Sequence, residues 1–438
     1  MPKTKVITAQ QAAGLIRDGD TLAIAAFAGG SGLAEEVCAA IEKRFLDTGK
    51  PNDLTLMVAS GNGDGTTGSF ANNHFAYPKM LSRVIAGHVG LSKRFANMIA
   101  ENDVAAWNFP QGVVTHLYRA AAGRKPGVLT HVGLGTFADP RLEGGKMNAA
   151  ATEDLVEVMN IGSEEKLLYK TIPITVGLIR GTTADEQGNL TMEREALITE
   201  ALHVAQAAKN SGGIVIAQVE RLARRGSLNA MSVQVPGIMV DYIVVAPSQK
   251  MNIVVDYDPS YSGELQVPVT EIAPMNMDLR KVMAKRCALE LQAGQIINLG
   301  IGVPEGVAAV ALEEGISDQL YLTIESGVIG GVPAPGLSIG ASANAEAIIP
   351  HPSIFDFYDG GGLDLAFLGL AQIDQNGNIN VSKFNGRMVG CGGFVNITQN
   401  AKSVVFCGSF TAGRAKIEIT EHGLSILEDA PGIKFVEQ

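Results

Sequence analysis

Thr21-Leu22-Ala23-Ile24-Ala25-Ala26-Phe27, followed by Ala28-Gly29-Gly30-Ser31-Gly32 and a helical stretch from Leu33 to Phe45, reads as a strand, a glycine turn and a helix in succession. This unit builds parallel sheets and offers backbone N–H groups to an anion at the start of the helix. The same grammar returns far downstream. A helix from Leu279 to Leu291 precedes Ala293-Gly294-Gln295, the strand Ile296-Ile297-Asn298-Leu299, the loop Gly300-Ile301-Gly302-Val303-Pro304 and a helix from Glu305 to Glu314. Two further echoes follow in order. Leu178 to Leu190, with Asp185-x-x-Gly188-Asn189, matches Leu368 to Ile379, with Asp374-x-x-Gly377-Asn378. Ser211-Gly212-Gly213-Ile214-Val215 is paired with Cys391-Gly392-Gly393-Phe394-Val395. Echoes in a common order predict two homologous α/β halves.

Asp241-Tyr242-Ile243-Val244-Val245-Ala246 closes the first half as a buried strand. Turn residues and prolines then interrupt the periodicity from Tyr257 to Asp278. The expected organisation is a domain over 1–257, a linker over 258–278 and a second domain over 279–438. At the beginning, Thr8 is positioned as an N-cap with Gln11 completing a capping box. The two Asp-x-x-Gly-Asn segments lie between apolar runs and read as hairpin turns. Gly360-Gly361-Gly362 predicts either an extreme turn or a close approach, by a ligand or by another stretch of backbone.

A chain of 438 residues exceeds one ordinary core. Its 51 glycines follow no collagen period and gather at the ends of apolar runs, as strand-to-helix turns require. A net charge of −11 without a basic stripe argues against nucleic acid. No apolar run reaches the roughly 18 residues needed to cross a bilayer. The start, Met1-Pro2-Lys3-Thr4-Lys5, leads directly into structured sequence, so no signal peptide is expected. Cys38, Cys287, Cys391 and Cys407 are widely spaced, which suits reduced thiols in a cytoplasmic protein and no zinc site.

Chemistry concentrates in Ile324-Glu325-Ser326-Gly327-Val328-Ile329-Gly330-Gly331-Val332-Pro333. Leu320 to Ile324 reads as a short buried strand, so Glu325 stands where the backbone turns and a small molecule can approach. It is either a turn or cap carboxylate, or a covalent nucleophile held close to an electrophile. Other chemistries are poorly supported. Gly300-Ile301-Gly302 lacks the third glycine of a dinucleotide fingerprint, and neither half carries a triphosphate-binding loop. The histidines His74, His88, His116, His131, His203, His351 and His422 show no metal-ligand spacing and read as structural or exposed. No Gly-x-Ser-x-Gly elbow occurs. By elimination Glu325 is the best-placed nucleophile.

Several separate passages together resemble the family I coenzyme A transferases: Asn298 to Pro304, Glu325 to Gly331, Tyr358-Asp359-Gly360-Gly361-Gly362-Leu363-Asp364, Gly390-Cys391-Gly392-Gly393-Phe394 and Thr411-Ala412-Gly413. In the first half, Pro110-Gln111-Gly112 and Gly133-Leu134-Gly135-Thr136 resemble the α-subunit side of these enzymes. The likeness runs over the whole chain and is greatest to the propionate and acetate CoA-transferases, whose two halves are fused. It implies two open α/β lobes, a fold also found in sugar-phosphate isomerases, with the active site between them. Members of that branch continue several tens of residues further, so the second lobe is expected to be shortened after Gly432-Ile433-Lys434-Phe435-Val436-Glu437-Gln438.

The resemblance further implies roles. Glu325 attacks the thioester of an acyl-CoA and carries CoA as a glutamyl thioester. Gln111 contacts the carbonyl or carboxyl group, and the amides of Gly390, Gly392 and Gly393 stabilise the oxyanion. Gly300, Ile301, Gly302, Val303 and Pro304 lie along CoA, and Lys416 meets one of its phosphates. Acyl-CoA and a short-chain carboxylate (acetate, propionate, butyrate or lactate) are the implied substrates, with no permanently bound cofactor and a homo-oligomeric assembly, dimer or tetramer. Two alternatives remain at this stage: an acyl-CoA hydrolase on the same scaffold, and a non-catalytic metabolite-sensing module.

Overall fold

The computed structural model describes residues 5–268, 274–384, 387–413, 415–430 and 432–437. Residues 269–273 of the expected linker lie outside the described residues. The first half is built on a sheet whose order is Val6–Ile7, Tyr242–Val245, Ile214–Ala223, Val176–Asp185, Thr21–Ile24, Leu54–Val58, Leu81–Ala86 and Ala105–Asn108. Every pairing along that path is parallel; Leu190–Thr191 folds back antiparallel on Val176–Asp185. Fully buried runs such as Thr21–Ile24 explain why strands of this sheet read as apolar sequence, while Val176–Asp185, equally buried, carries Arg180 paired with buried Glu195. Trp107, Tyr118 and Tyr169 are the largest side chains packed into this core.

The second half carries a sheet in the order Ala347–Ile348, Val328–Ile329, Tyr321–Thr323, Ile296–Leu299, Leu365–Leu368 and Ser403–Phe406. Its last four strands are parallel, and the first two add antiparallel at one edge. The repeat is explicit in the connectivity. Leu54, Thr21, Val176 and Ile214 begin four adjacent parallel strands in the first half, and Tyr321, Ile296, Leu365 and Ser403 begin four in the second with the same chain order.

Local signals were legible. Thr8 caps the helix Ala9–Leu15 in a full capping box with Gln11. Asp185 Oδ1 accepts the amides of Gln187 and Asn189, and Asp374 Oδ1 accepts those of Asn376 and Asn378, so one turn is built twice. One reading needs correction. Gly212 and Gly213 end the helix before strand Ile214–Ala223, whereas Gly392 and Gly393 open the helix Phe394–Asn400, so that pairing is a coincidence of composition. The triple glycine forms a tight turn after helix His351–Asp359: Gly361 takes φ +85°, and a β-carbon on Gly362 would lie 2.4 Å from the ring of Phe357 in that helix.

The first glycine turn also departs from expectation. Ala28 to Gly32 is buried, the amides of Gly30 and Ser31 are donated to the carbonyl of Phe27, and a β-carbon on Gly29 would lie 2.2 Å from the Leu337 carbonyl oxygen. The second half packs over Gly29, and the Gly30 and Ser31 amides are used within the turn itself.

Candidate active site

Strand Tyr321–Thr323 delivers Glu325 to the seam between the halves. The Gly327 amide is donated to the Ile324 carbonyl and the Ile324 amide to Val328, closing a tight connection in which Gly327 takes φ +106°. A β-carbon there would also strike the Ile349 carbonyl oxygen at 2.1 Å, so only glycine fits. Behind the strand, the buried Tyr358 hydroxyl donates to Thr323 Oγ1 at 2.8 Å and accepts from Asn298 Nδ2 at 3.2 Å. Ser326 Oγ donates to the Gly340 carbonyl at 2.6 Å. These bonds leave the Glu325 carboxylate as the part of the turn free to face outward.

Gln111 arrives from the first half, at the start of helix Gln111–Ala122. Its Nε2 donates to Glu325 Oε1 at 3.3 Å across 214 positions of sequence. The backbone is tied as tightly: the Gln111 amide is donated to the Gly392 carbonyl, the Gly392 amide to the Gly87 carbonyl, and the Cys391 amide to Asn108 Oδ1. The Gly390 amide is donated to Ser382. Gly390 and Gly392 therefore cannot act as amide donors to an oxyanion in this arrangement, because their N–H groups hold the loop to the rest of the chain. The Gly393 amide has no acceptor among the described residues, and Glu325 Oε2 packs directly over Gly393.

These residues wall a cavity of about 280 Å³. Phe27, Leu91, Ile324, Ile339, Leu368 and Ile397 make it largely apolar, and Ser60, His88, Gln111 and Glu325 are its polar side chains. The enclosure raises the pKa of Glu325: burial disfavours its charge, and His351 and the Gln111 hydrogen bond offset only part of that. Burial likewise lowers His88 to about 4, so its ring is neutral at physiological pH. An apolar pocket with a desolvated carboxylate on its wall suits attack on a carbonyl from which water is excluded.

Comparison with known proteins follows the same line. The sequence profile of the family described as "Coenzyme A transferase" matches residues 6–246. The chain is 45% identical over 442 residues to the caffeate CoA-transferase of Acetobacterium woodii, covering 99% of this chain and 84% of that protein. It is 37% identical over 437 residues to the acetate CoA-transferase YdiF of Escherichia coli K12, covering all of this chain and 82% of the relative. This chain is a family I coenzyme A transferase. The crystal structure of the YdiF acyl-CoA transferase apoenzyme from Escherichia coli O157:H7 superposes with a TM-score of 0.93 at 36% identity, over 99% of this chain and 82% of that one. A second structure of that protein, described as a thioester complex with CoA, superposes with a TM-score of 0.92 at 37% identity, again over 99% and 82% of the two chains.

Within this transferase the residues singled out from sequence are partly gathered. Glu325, Gln111, Gly390, Gly392, Gly393, Gly300 and Ile301 all line the cavity. Gly302, Val303 and Pro304 continue away from it into helix Glu305–Glu313. That helix start already holds an acid: Glu305 is partly buried, its pKa raised by burial, with Oε1 lacking a hydrogen-bond partner among the described residues. Lys416 lies outside the cavity lining, exposed on the hairpin Lys416–Thr420/Gly423–Glu428 and ion-paired to Glu428.

Sequence reasoning missed His351 and Glu200. His351 Nε2 lies 3.0 Å from Gln111 Nε2, and its Nδ1 contacts Glu200 Oε1; both residues are fully buried. The available signal was the stretch Pro350-His351-Pro352, a polar ring pinned between prolines at a helix start.

Proposed function

We propose that this CoA-transferase moves CoA between a short-chain acyl-CoA and a short-chain carboxylate, with Glu325 as the covalent carrier. The observation that carries this reading is the desolvated Glu325 carboxylate facing the cavity under the Gln111 amide. A carboxylate oxygen of Glu325 attacks the thioester carbonyl. The C–S bond breaks, leaving a mixed anhydride and the CoA thiolate. The thiolate then attacks the glutamyl carbonyl, releasing the acid as its carboxylate and forming a glutamyl-CoA thioester. The acceptor carboxylate reverses both steps, a ping-pong exchange that conserves every proton and electron pair. No metal or redox cofactor enters this stoichiometry.

Glu325 is a weak nucleophile, so orientation supplies much of the rate. Gln111 Nε2 holds one oxygen, and the Gly393 amide supports the oxygen that becomes negative at each attack. Contacts along Gly300 and Ile301 would hold CoA and contribute binding energy remote from the reacting carbon.

The lining favours monocarboxylates. No lysine or arginine lines the cavity among the described residues, and His88 is neutral, so a second carboxylate on the acyl group would enter uncompensated. A second reading, a larger aromatic acid, draws on the 45% identity to the caffeate enzyme and on Phe27 in the cavity wall. Acceptors from acetate to lactate and caffeate, assayed with propionyl-CoA, separate the two. Release of free thiol without an acceptor would identify a hydrolase. The covalent step is tested by incubation with acyl-CoA alone, borohydride reduction and peptide mass spectrometry. The expected result is residue 325 converted to the alcohol; modification elsewhere sinks the assignment.

A further inference from the structure

Behind Glu325 stand three buried side chains linked end to end. Gln111 Nε2 lies 3.3 Å from Glu325 Oε1 and 3.0 Å from His351 Nε2, and the other ring nitrogen, Nδ1, meets Glu200 Oε1. Gln111 is 2% exposed, while His351 and Glu200 are at 0%. With both carboxylates ionised, one ordering of hydrogens satisfies all three contacts. Glu200 can only accept, so Nδ1 carries the ring hydrogen. One amide atom of Gln111 faces both Glu325 and His351, and a carbonyl oxygen there would confront the Glu325 oxygen. That atom must be the NH2 group, donating one hydrogen to the carboxylate and one to the bare Nε2 of a neutral imidazole.

The backbone beside Glu200 is strained. Thr199, β-branched and buried, takes φ +54°, the left-handed region such residues rarely adopt. It immediately precedes Glu200, and its carbonyl accepts the His351 amide at 3.1 Å. Glu200 Oε2 has no hydrogen-bond partner among the described residues despite full burial. A strained threonine and a half-satisfied buried carboxylate both reduce stability, and such features persist where function needs them.

We propose that Glu200 and His351 are positioning residues that lock the Gln111 amide with its NH2 group toward Glu325. They touch no substrate and act through Gln111. This inference rests on the reading of Glu325 as the nucleophile. Phe27 and Phe355 pack on the imidazole ring, with centroids 5.4 and 5.3 Å away, and hold its plane.

The test is a cycle of Glu200→Gln and Gln111→Ala, singly and together, followed by steady-state kinetics and by mass spectrometry of CoA on Glu325. Glu200→Gln is expected to lower kcat by about tenfold or more, with KM for acyl-CoA within about twofold of the parent. In the Gln111→Ala background the same change should have no further effect, because there is no amide left to orient. His351→Gln, which keeps an acceptor facing Gln111, should retain more activity than His351→Phe. Losses that multiply in the double variant would overturn the proposal, as would an unaltered kcat in Glu200→Gln. If the parent enzyme itself acquires no CoA at Glu325, the nucleophile reading fails instead. Adduct formation with multiplying losses removes only the positioning role.

Discussion

Glu325 Oε2 lies 2.5 Å from the point where a β-carbon would stand on Gly393. Any side chain at 393 must displace the carboxylate, since the Phe355 ring blocks the other direction at 3.1 Å. Gly393→Ala is therefore expected to lower kcat by about 100-fold or more, the usual consequence of misplacing a reacting group by an ångström. The unfolding temperature should change little, because the displaced group faces a cavity. Kinetics and a thermal melt on one sample check both halves of the statement.

Glu325→Gln should abolish transfer and stabilise the fold at neutral pH. Burial raises the folded-state pKa of Glu325, so the ionised group costs stability at pH values above that pKa, and the cost vanishes below the unfolded-state value. The variant's gain in melting temperature should be present at pH 7 and disappear as the pH falls below the ordinary glutamate range. A gain that persists at low pH would contradict the assignment.

The half-reaction reports the same group kinetically. With acyl-CoA alone, formation of the CoA adduct should fall as pH drops through the raised pKa of Glu325, because the protonated acid is no nucleophile. Omitting the acceptor removes its own titration from the profile. The midpoint is expected above that of a free glutamate, and a midpoint below it would be inconsistent with a desolvated carboxylate.

A second buried cluster makes stability pH-dependent without touching catalysis. His74 bridges Glu35 and Glu42, each at 2.6 Å, while Tyr77 and Arg94 also bind Glu42. Burial opposes the His74 charge, but the two carboxylates more than offset it and raise its pKa. Its contribution is complete below the unfolded-state histidine pKa and is lost as pH rises through the raised folded value. The urea midpoint of the parent should fall as the pH rises above the ordinary histidine value of about 6.5 and through the raised folded value. In His74→Gln the midpoint should be lower at the acid end and flatter throughout.

Gly112→Ala probes the contact between the halves. A β-carbon would lie 2.5 Å from Asn396 Nδ2 and 2.6 Å from the Phe355 ring, both buried, while Asn396 Oδ1 already accepts the Gly112 amide. Overpacking of this kind costs about 1–3 kcal/mol, measurable as a lowered urea midpoint. Equal stability would mean the seam yields more easily than its geometry indicates.

What the sequence disclosed is local chemistry and repetition. Thr8 with Gln11, and Asp185 with Asp374, act through neighbours within a few positions, so their turns could be read directly. The place of Glu325 at the end of a buried strand was equally legible, since apolar runs and glycines mark such corners. What stayed hidden depends on partners supplied by distant chain. His351 meets Gln111 across 240 positions, and nothing in its spacing foretells that contact. The amides of Gly390 and Gly392 looked available because glycine exposes backbone, but Ser382 and Gly87, in separate segments, accept them. Ser211-Gly212-Gly213 and Cys391-Gly392-Gly393 share composition while lying at opposite ends of their helices, a distinction that only hydrogen-bond connectivity makes.

The plugged glycine turn at Ala28–Gly32 has a consequence of its own. A duplicated scaffold inherits two equivalent doorways; Leu337 bars one, while its counterpart at Gly300–Gly302 stays open, with Ile301 at 66% exposure. On the chemistry proposed above, donor and acceptor acids then share one vestibule and queue for it, and the departing acid must vacate before its successor is admitted.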